Sequence, residues 1–436
     1  MSLPLVALIG RPNVGKSSLF NRFISRKLAI VDDEPGITRD RNYSPCEWAG
    51  REFYLVDTGG MIPDSRTEIE RMILAQAETA IEQADLTVFI VDCQTGLDST
   101  EERIAAGLLK SGRKVLLLAN KADNDSLAGE AYQFMRLGLD EPLMVSATGG
   151  FGIGEALDRI VELLPEAVPD EQSSDAVRIA VIGRPNVGKS SFINRLIGGE
   201  RVIVSPIPGT TRDAVDTPFE FDGRKYVLID TAGLRKKARV KEDLEFYTTL
   251  RTLRAIENCH VALVLIDAYQ GLSVQDLKVV EDAVNSRRAV VMAVNKWDLV
   301  EKDTHTADRF TTRIKEAART FAYIPQIFIS CLTGQRVVKT LALVDQIYEN
   351  WNREIQTAEL NRFLEEIYQK QPPAAVQGKY IKINYITQAG TRPPTFLMFC
   401  NYPKFIQKSY IRYIENRLRE NYPLDGVPVR IRFKKK

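Results

Sequence analysis

The sequence is poor in the residues that build metal clusters and disulfide frameworks. Its 436 residues include five cysteines, two histidines and three tryptophans. No CxxC pair and no histidine cluster occurs, and the cysteines lie far apart, at Cys46, Cys93, Cys259, Cys331 and Cys400. We therefore expect neither a zinc site nor a disulfide framework, and we expect the thiols to be reduced and mostly buried.

Long apolar runs are also lacking. Stretches such as Val261 to Ile266 are far shorter than the ~20 residues that span a bilayer, and the first ten residues, MSLPLVALIG, contain no basic leader. We expect no membrane association, no secretory signal and a cytoplasmic location. With 44% hydrophobic and 27% charged residues, the chain reads as folded and soluble, and its length favours two to four domains.

Charge is unevenly distributed, although the net charge is only +2. Residues 351–436 carry 16 Lys/Arg against 7 Asp/Glu, a net +9, which leaves a net −7 for residues 1–350. A basic C-terminal part joined to an acidic remainder indicates a polyanionic partner. The alternative is a solvated, solubilising surface.

One nine-residue segment, GRPNVGKSS, occurs twice, as Gly10 to Ser18 and as Gly183 to Ser191. Two later residue types recur with the same shift of 173 residues: Thr38 matches Thr211, and Asp57 matches Asp230. This register indicates a duplicated domain with two nucleotide sites.

Short apolar runs alternate with helical patterns such as Glu68 to Gln83, which is typical of a parallel sheet covered by helices on both faces. The predicted strands are Leu5–Ile9, Phe53–Val56, Leu86–Val91, Val115–Leu118 and Leu143–Val145, then Ile179–Ile182, Tyr226–Ile229, Val261–Ile266, Ala289–Val294 and Ile327–Ile329. The fold class is therefore α/β, with two tandem, doubly wound P-loop domains of mostly parallel sheets.

The predicted domains are 1–164 and 178–350, joined by a flexible acidic linker at 165–177, and a basic domain at 351–436. The last of these shows an αββαβ pattern, typical of a small α+β domain. Its predicted elements are a helix at Thr357–Gln369, strands at Tyr380–Thr387 and Thr395–Cys400, a helix at Ser409–Asn421 and a strand at Val427–Phe433.

Both repeated segments fit the phosphate-loop pattern GxxxxGK[ST] after a strand and before a helix. The glycines let backbone amides approach phosphates, Lys16 and Lys189 neutralise phosphate oxygens, and the following serine hydroxyl binds Mg²⁺. The predicted nucleotide-binding residues are Gly10, Arg11, Pro12, Asn13, Val14, Gly15, Lys16 and Ser17, and Gly183, Arg184, Pro185, Asn186, Val187, Gly188, Lys189 and Ser190.

A DTxG motif closes one predicted strand in each copy, where an acid can hold a magnesium-bound water and a glycine amide can meet the γ-phosphate. The residues of the motif and the one after it are Asp57, Thr58, Gly59, Gly60 and Met61, and Asp230, Thr231, Ala232, Gly233 and Leu234.

The base is read by an NKxD motif, whose carboxylate accepts hydrogen bonds from guanine N1–H and the 2-amino group. Adenine presents no such pair, so the predicted nucleotide is guanine. The motif residues are Asn120, Lys121, Ala122 and Asp123, and Asn295, Lys296, Trp297 and Asp298. Weaker dipeptides, Ser146-Ala147 and Ser330-Cys331, offer a backbone amide to guanine O6, although a simple turn is the alternative.

With these motifs in order, and with Thr38 and Thr211 in P-G-[IT]-T-R-D, the chain resembles the translation-factor-related GTPases of the Era and TrmE type. Two such domains and a basic KH-like domain look like the EngA family, which assists assembly of the large ribosomal subunit. The resemblance implies GTP hydrolysis, GTP or GDP at two sites, Mg²⁺, and the large subunit and its rRNA as partners. We expect no DNA partner and a monomer.

By position, the resemblance makes Thr38 and Thr211 the switch threonines that contact Mg²⁺ and the γ-phosphate. The predicted metal ligands are thus Ser17, Thr38 and Asp57, and Ser190, Thr211 and Asp230. Signalling GTPases place a glutamine where this chain has Met61 and Leu234. The resemblance offers Asn13 and Asn186 as ligands of K⁺ instead, so the predicted catalytic residues are Lys16, Thr38 and Asn13, and Lys189, Thr211 and Asn186. The alternative is that each asparagine merely caps its loop.

Two further features keep alternatives open. Residues 235–241 contain five Lys/Arg in the predicted switch of the second copy, where GTP would control contact with RNA or with an acidic domain. The alternative for this run is a disordered, solvated loop. The C-terminal domain lacks a GXXG loop, so the usual KH mode of RNA binding does not transfer. Its interleaved basic and aromatic residues either bind RNA or form core while the domain docks on a switch; they are Lys404, Phe405, Lys408, Tyr410, Arg412 and Tyr413.

The alternative functions are a tRNA-modifying GTPase and an RNA-binding scaffold. A tRNA-modifying GTPase would need a folate or flavin domain and a reactive cysteine near the C-terminus, where this chain reads RIRFKKK. An RNA-binding scaffold would bind GTP with little turnover, and single-turnover hydrolysis by each domain separates it from an enzyme.

Overall fold

The computed structural model describes residues 4–25, 43–57, 84–165, 176–199, 202–204, 216–229, 245–301, 303–376 and 378–435. The chain divides into two compact units. The first comprises Met1–Glu171 with Lys241–Arg254, and the second comprises Gln172–Val240 with Ala255–Lys436.

The first unit contains a six-stranded sheet in the order β2-β3-β1-β4-β5-β6, parallel except for the antiparallel edge strand β2. Its strands are β1 (Leu5–Ile9), β2 (Tyr43–Trp48), β3 (Arg51–Asp57), β4 (Leu86–Asp92), β5 (Val115–Asn120) and β6 (Leu143–Met144). Its helices are α1 (Lys16–Ser25), α2 (Ser99–Ser111), α3 (Asp125–Glu130), a 3-10 helix (Ala131–Leu137) and α4 (Ile153–Leu163).

Strand β1 is buried on both faces, as expected for the centre of a doubly wound sheet. Val6 and Leu8 pack in the core that includes residues of α1 and α4, and Ala7 and Ile9 pack in the core that includes residues of α2. This alternation follows from the two-residue period of a strand. Because β1, β3, β4, β5 and β6 pair in parallel, their carboxyl ends lie at one edge of the sheet, where the motif loops begin.

The second unit repeats this order in a seven-stranded sheet, β13-β12-β11-β7-β10-β9-β8, with antiparallel pairing only of β8 with β9 and β9 with β10. The strands are β7 (Val177–Ile182), β8 (Val202–Val204), β9 (Thr217–Phe221), β10 (Arg224–Ile229), β11 (Val261–Asp267), β12 (Ala289–Asn295) and β13 (Gln326–Phe328). The helices after β7 are α5 (Lys189–Ile197), α6 (Glu245–Asn258), α7 (Val274–Asn285), α8 (Thr306–Ala317) and α9 (Lys339–Trp351), with 3-10 turns at Trp297–Leu299 and Arg319–Phe321. Residues 245–254 of α6 belong to the first unit, and the rest of the helix belongs to the second.

The C-terminal part of the second unit follows the predicted αββαβ order. It consists of α10 (Thr357–Lys370), β14 (Ile383–Gly390), β15 (Thr395–Cys400), a 3-10 turn (Pro403–Phe405), α11 (Lys408–Asn421) and β16 (Arg430–Lys435). Strand β15 lies in the middle of a three-stranded sheet, antiparallel to β14 and parallel to β16.

One hydrophobic core runs without interruption from the second α/β sheet into the C-terminal domain. It contains residues of β7 and β11, of α9, and of α10, β15 and α11. At the junction, the Val290 amide donates to the Gly426 carbonyl oxygen (2.7 Å), and the Gly426 amide donates to the Tyr323 carbonyl oxygen (3.0 Å). Val290 lies near the amino end of β12, so these contacts occur at the end of the sheet remote from the phosphate loop.

The predicted fold class is confirmed, and each predicted strand matches an observed one to within a few residues. Strands β2 (YSPCEW) and β9 (TPFEF) were missed because they have no sustained apolar run, and β8 (VIV) was missed because it is only three residues long. The helix predicted at Glu68 to Gln83 and most of the predicted linker lie outside the described residues. All five cysteines are free and buried, as expected. No described helix combines the length and apolar character that a bilayer crossing requires.

Candidate nucleotide-binding sites

The first phosphate loop connects β1 to α1 and places a buried lysine at the helix start. The Lys16 ammonium donates to the carbonyl oxygens of Gly10 (2.9 Å) and Arg11 (2.7 Å). Burial lowers the pKa of Lys16 to about 8, and the nearby Asp57 carboxylate partly opposes that shift. A buried cation beside a helix N-terminus is poised to receive an anion such as a phosphate.

The second loop, between β7 and α5, repeats this arrangement. Lys189 donates to the carbonyl oxygens of Gly183 (2.7 Å) and Arg184 (2.6 Å). Asn13 and Asn186, the equivalent residues of the two loops, both adopt left-handed backbone conformations, with φ of 66° and 65°. Asparagine adopts this region more readily than most residues, so the backbone conformation alone can explain an asparagine at each position.

Each phosphate loop is fixed against its base-reading motif by one asparagine. The Asn120 side-chain amide donates to the Val14 carbonyl oxygen (2.8 Å), and Asn295 does the same to Val187 (2.8 Å). A Cβ on Gly15 would lie 2.2 Å from Asn120 Nδ2, so only glycine permits this approach. In the second copy, a Cβ on Gly188 would lie 2.4 Å from Asn295 Nδ2.

The same asparagines also hold the loop that was predicted to meet the guanine oxygen. Asn120 Oδ1 accepts from the Ala147 amide (3.1 Å), and Asn295 Oδ1 accepts from the Cys331 amide (3.0 Å). Ser146 Oγ donates to Asp123 Oδ1 at 2.5 Å, which orients the carboxylate expected to bind the base. The structure thus brings the NKxD motif and the weaker dipeptide together in both copies.

The third residue of each NKxD motif, Ala122 or Trp297, is buried in the core. Ala122 is buried, and the Trp297 ring is buried against Phe328 and Phe310, with centroid distances of 4.3 and 5.2 Å. Their role in the motif is therefore to pack its turn on the core.

Sequence reasoning missed the acids that hold the motif lysines. Lys121 pairs with Asp92 and Lys296 pairs with Asp267, each at 2.6 Å, and both acids are buried at the ends of β4 and β11. Burial alone would raise the pKa of Asp267, but the Lys296 hydrogen bond and two backbone amides outweigh burial and lower it.

The acids that hold the loop arginines were missed as well. Arg11 pairs with the fully buried Glu101 (2.8 Å), and Arg184 pairs with the fully buried Asp276 (2.8 Å). Burial raises the pKa of Glu101, against the opposing effect of Arg11. Each acid is the third residue of its helix, α2 or α7, and accepts from the backbone N–H of the N-cap residue in a capping box. The arginine therefore joins the phosphate loop to the start of that helix. The sequence did contain a signal for these acids. Glu101 and Asp276 are separated by 175 residues, and Asp92 and Asp267 are separated by the same number, so each pair occupies equivalent positions in the two copies.

A pair of oxygen ligands meets at the first site. Ser17 Oγ donates to Asp57 Oδ2 at 2.5 Å, which joins the start of α1 to the end of β3. Two oxygen donors beside a phosphate loop fit Mg²⁺, which keeps water and substrate oxygens among its ligands. Over the described parts of the chain, no group of three or more His, Cys, Asp or Glu side chains forms a metal cage.

Several predicted site residues lie outside the described residues. In the first copy they are Thr38, Thr58, Gly59, Gly60 and Met61, and in the second copy they are Thr211, Asp230, Thr231, Ala232, Gly233 and Leu234. The basic run at 235–241 is likewise outside.

The chain has two phosphate loops, and each is hydrogen-bonded to its own NKxD motif. One αββαβ module follows the second α/β domain. This combination defines the class of the tandem P-loop GTPases. The family model described as 50S ribosome-binding GTPase matches residues 5–121 and 178–296. The model described as the C-terminal KH-domain-like region of EngA bacterial GTPase enzymes matches residues 354–434.

Full-length relatives narrow this class further. The chain is 48% identical to GTPase Der of Caldanaerobacter subterraneus subsp. tengcongensis, covering 100% of this chain and 99% of that protein. It is 46% identical to GTPase Der of Halothermothrix orenii, covering 100% of both. The chain belongs to the GTPase Der family. It binds guanine nucleotide and hydrolyses GTP, so the predicted activity is confirmed, and the alternative of a scaffold with little turnover is not supported.

Among solved structures, the chain is similar to Era in complex with MgGDPNP and nucleotides 1506–1542 of 16S ribosomal RNA. That similarity has 20% identity and a TM-score of 0.31, and it covers 60% of this chain and 93% of that one. A likeness of this size supports no functional conclusion.

Proposed function

We propose that this GTPase uses the nucleotide state of two GTP sites to time its association with rRNA and the immature large ribosomal subunit. The observation that carries the proposal is that both sites share the same internal contacts, including the hydrogen bond from the NKxD asparagine to the phosphate loop and the hydrogen bonds from the loop lysine to its own loop carbonyls. The ribosome-binding family match and the net +9 charge of residues 351–436 support a ribosomal partner.

Within each site, we assign the loop lysine, Lys16 or Lys189, to the phosphate oxygens, and Asp123 or Asp298 to the guanine ring. Ser17, Thr38 and Asp57 would hold Mg²⁺ in the first site, and Ser190, Thr211 and Asp230 in the second. Bound Mg²⁺ would neutralise charge on the β- and γ-phosphates. The protein supplies positioning and electrostatics, and water is the nucleophile.

The missing glutamine is the reason to propose a role for K⁺. Met61 and Leu234 cannot polarise a water. Asn13 and Asn186 are exposed residues of the phosphate loops, and we assign their side-chain oxygens as ligands of the cation. A positive charge at this place stabilises the charge that spreads over the phosphates in the transition state. Hydrolysis should then be faster in K⁺ than in Na⁺, and equal rates in the two salts would remove this part of the proposal.

The shared core of the second α/β domain and the KH-like domain supports a division of labour. Because these two domains are packed as one body, we propose that the second GTP site and the basic C-terminal domain act together on the ribosome. We also propose that the protein acts as a cytoplasmic monomer. Its first domain would end at residue 164, its second would begin at residue 178, and its C-terminal domain would begin at residue 351.

The test is co-sedimentation of the protein with purified large subunits in GTP, GDP or a non-hydrolysable GTP analogue. The proposal predicts at least a tenfold difference in affinity between the GDP form and the triphosphate form, about 1.4 kcal/mol of coupling. Binding that ignores the nucleotide, or no binding in any state, contradicts it.

A further inference from the structure

A long stretch of the C-terminal domain contains no carboxylate. Between residues 367 and 414 the sequence has no Asp and no Glu in 48 positions. The same stretch carries seven cations: Lys370, Lys379, Lys382, Arg392, Lys404, Lys408 and Arg412. Such a surface has little to repel a polyanion and much to attract it.

Within this stretch, one lysine lies beside two aromatic rings, and Tyr380 and Lys404 are their neighbours in sequence. The Lys379 ammonium lies 5.2 Å from the centroid of the Tyr402 ring and 5.0 Å from that of Phe405. The two rings are edge to face, with centroids 6.0 Å apart. Tyr380 is 84% exposed and Tyr402 is 36% exposed. We call Lys379, Tyr380, Tyr402, Lys404 and Phe405 the aromatic-lysine cluster.

One asparagine fixes the two chain segments that carry this cluster. Asn401 Nδ2 donates to the Tyr380 carbonyl oxygen (2.9 Å), and Asn401 Oδ1 accepts from the Lys382 amide (2.9 Å). The segment before β14 is thereby held against the loop after β15. The cluster is therefore built in advance, which reduces the ordering cost of binding.

The other aromatics of this region serve the fold. Tyr410 is buried and donates to the Gln371 carbonyl oxygen (2.9 Å), and Tyr413 donates to the Ile367 carbonyl oxygen (3.2 Å). These two tyrosines, which the sequence offered as nucleic-acid contacts, join α11 to α10. The aromatic surface that remains is the aromatic-lysine cluster.

We propose that the aromatic-lysine cluster binds single-stranded RNA by stacking unpaired bases on Tyr380 and Tyr402. The proposal rests on the proposed function, because it names the surface through which the KH-like domain meets rRNA. Stacking on exposed rings requires bases that are not already paired, and lysines beside the rings meet the phosphates of the same strand. It replaces the GXXG loop that this domain lacks.

The same features argue against a duplex or an acidic protein as the partner. An A-form duplex keeps its base faces inside the helix, so its phosphates would contact the lysines but no base would stack on the tyrosine rings. The acidic side chains of a peptide such as polyglutamate likewise have no aromatic face to stack on Tyr380 or Tyr402. A loss of affinity on removal of the Tyr380 or Tyr402 ring therefore distinguishes single-stranded RNA from a duplex or an acidic peptide.

The experiment measures binding of the full-length protein to a fluorescein-labelled 12-nucleotide oligouridylate by anisotropy. Tyr380→Ala and Tyr402→Ala should each weaken binding by about fivefold or more, while Tyr380→Phe and Tyr402→Phe should bind within about twofold of the parent. Tyr385→Ala, an equally drastic change of a 42% exposed tyrosine on β14, is the matched control and should have no effect. Lys404→Met should reduce the slope of log K against log salt by about 0.7.

Retained GTP hydrolysis shows that each variant is folded. Undiminished affinity of the folded Ala variants for the oligonucleotide overturns the inference, as does tighter binding of a 12-base-pair RNA duplex or of polyglutamate than of the single strand. The proposed function fails on a different result, loss of nucleotide-dependent co-sedimentation with subunits in the parent protein. The two failures are therefore distinguishable.

Discussion

The guanidinium of Arg419, in the KH-like domain, lies 3.6 Å from the ring centroid of Tyr323, in the preceding α/β domain. Burial at this junction raises the pKa of Tyr323 to about 12. Because the Tyr323 carbonyl oxygen also accepts the Gly426 amide, ring and backbone are both engaged. The segment that carries Tyr323 continues through β13 to Ser330 and Cys331, at the opposite, nucleotide-binding end of the sheet.

Substitution of one glycine should loosen this junction. Gly426 has φ of +72°, and a Cβ there would lie 2.9 Å from the Val290 carbonyl oxygen and 2.8 Å from Ile347 Cδ1. We expect Gly426→Ala to reduce the free energy of unfolding by about 2 to 4 kcal/mol, from left-handed strain and overpacking together. Urea unfolding of the full-length protein measures it.

Gly378→Ala is the matched control. Gly378 also has φ of +72°, but a Cβ there meets nothing within 4 Å. This variant should lose only the strain component, about 1 kcal/mol. Equal losses for the two variants would mean that the junction is not closely packed at Gly426.

Local sequence patterns predicted the parallel strands well because those strands are buried on both faces and therefore read as apolar runs. Strand β2 reads YSPCEW and has no such run, and its place is set by pairing with β3, which no local pattern reports. The phosphate loops and NKxD motifs were found because their spacing repeats. Glu101 and Asp276 were not, because a buried acid in a capping box looks like any helix start until its arginine partner is known.

Closing one phosphate loop should remove one nucleotide site and spare the other. Gly15→Ala places a methyl group against Asn120, and Gly188→Ala places one against Asn295. Each variant should lower the stoichiometry of a fluorescent GTP analogue from two to one per chain, by equilibrium titration. A stoichiometry of one in the parent, or of two in either variant, would contradict the assignment of two sites.

The loop asparagines can be tested with glycine, which accepts their left-handed backbone and removes the side-chain oxygen. We expect Asn13→Gly, in a Gly188→Ala background, to keep GTP affinity within about threefold and to lose about tenfold or more of the K⁺ stimulation of hydrolysis. Single-turnover rates in K⁺ and in Na⁺ measure this. Full K⁺ stimulation in the variant would mean that Asn13 serves only the backbone conformation.

The lowered pKa of Lys16 links nucleotide binding to proton uptake. Its folded-state pKa, about 8, is below the ordinary 10.5, so the unfolded chain holds more protons and this lysine's contribution to stability rises with pH between those values. Phosphates favour the charged ammonium, so binding at the first site should take up about half a proton at pH 8 and about a tenth at pH 7.

Calorimetric titration of GDP into the Gly188→Ala variant, in buffers that differ in ionisation enthalpy, measures the uptake. The increase between pH 7 and pH 8 is the diagnostic quantity. Uptake that stays near zero at both values would show that Lys16 is already charged before the nucleotide binds.

The most direct test of nucleotide control exchanges the base that the protein reads. Asp123→Asn with Asp298→Asn replaces two acceptors of guanine with amides that suit xanthine, leaving the phosphate loops intact. Co-sedimentation of this variant with purified large subunits should respond to a non-hydrolysable xanthosine triphosphate and no longer to its guanosine counterpart. Association that still follows the guanosine analogue, or that is the same in every nucleotide, would contradict the account.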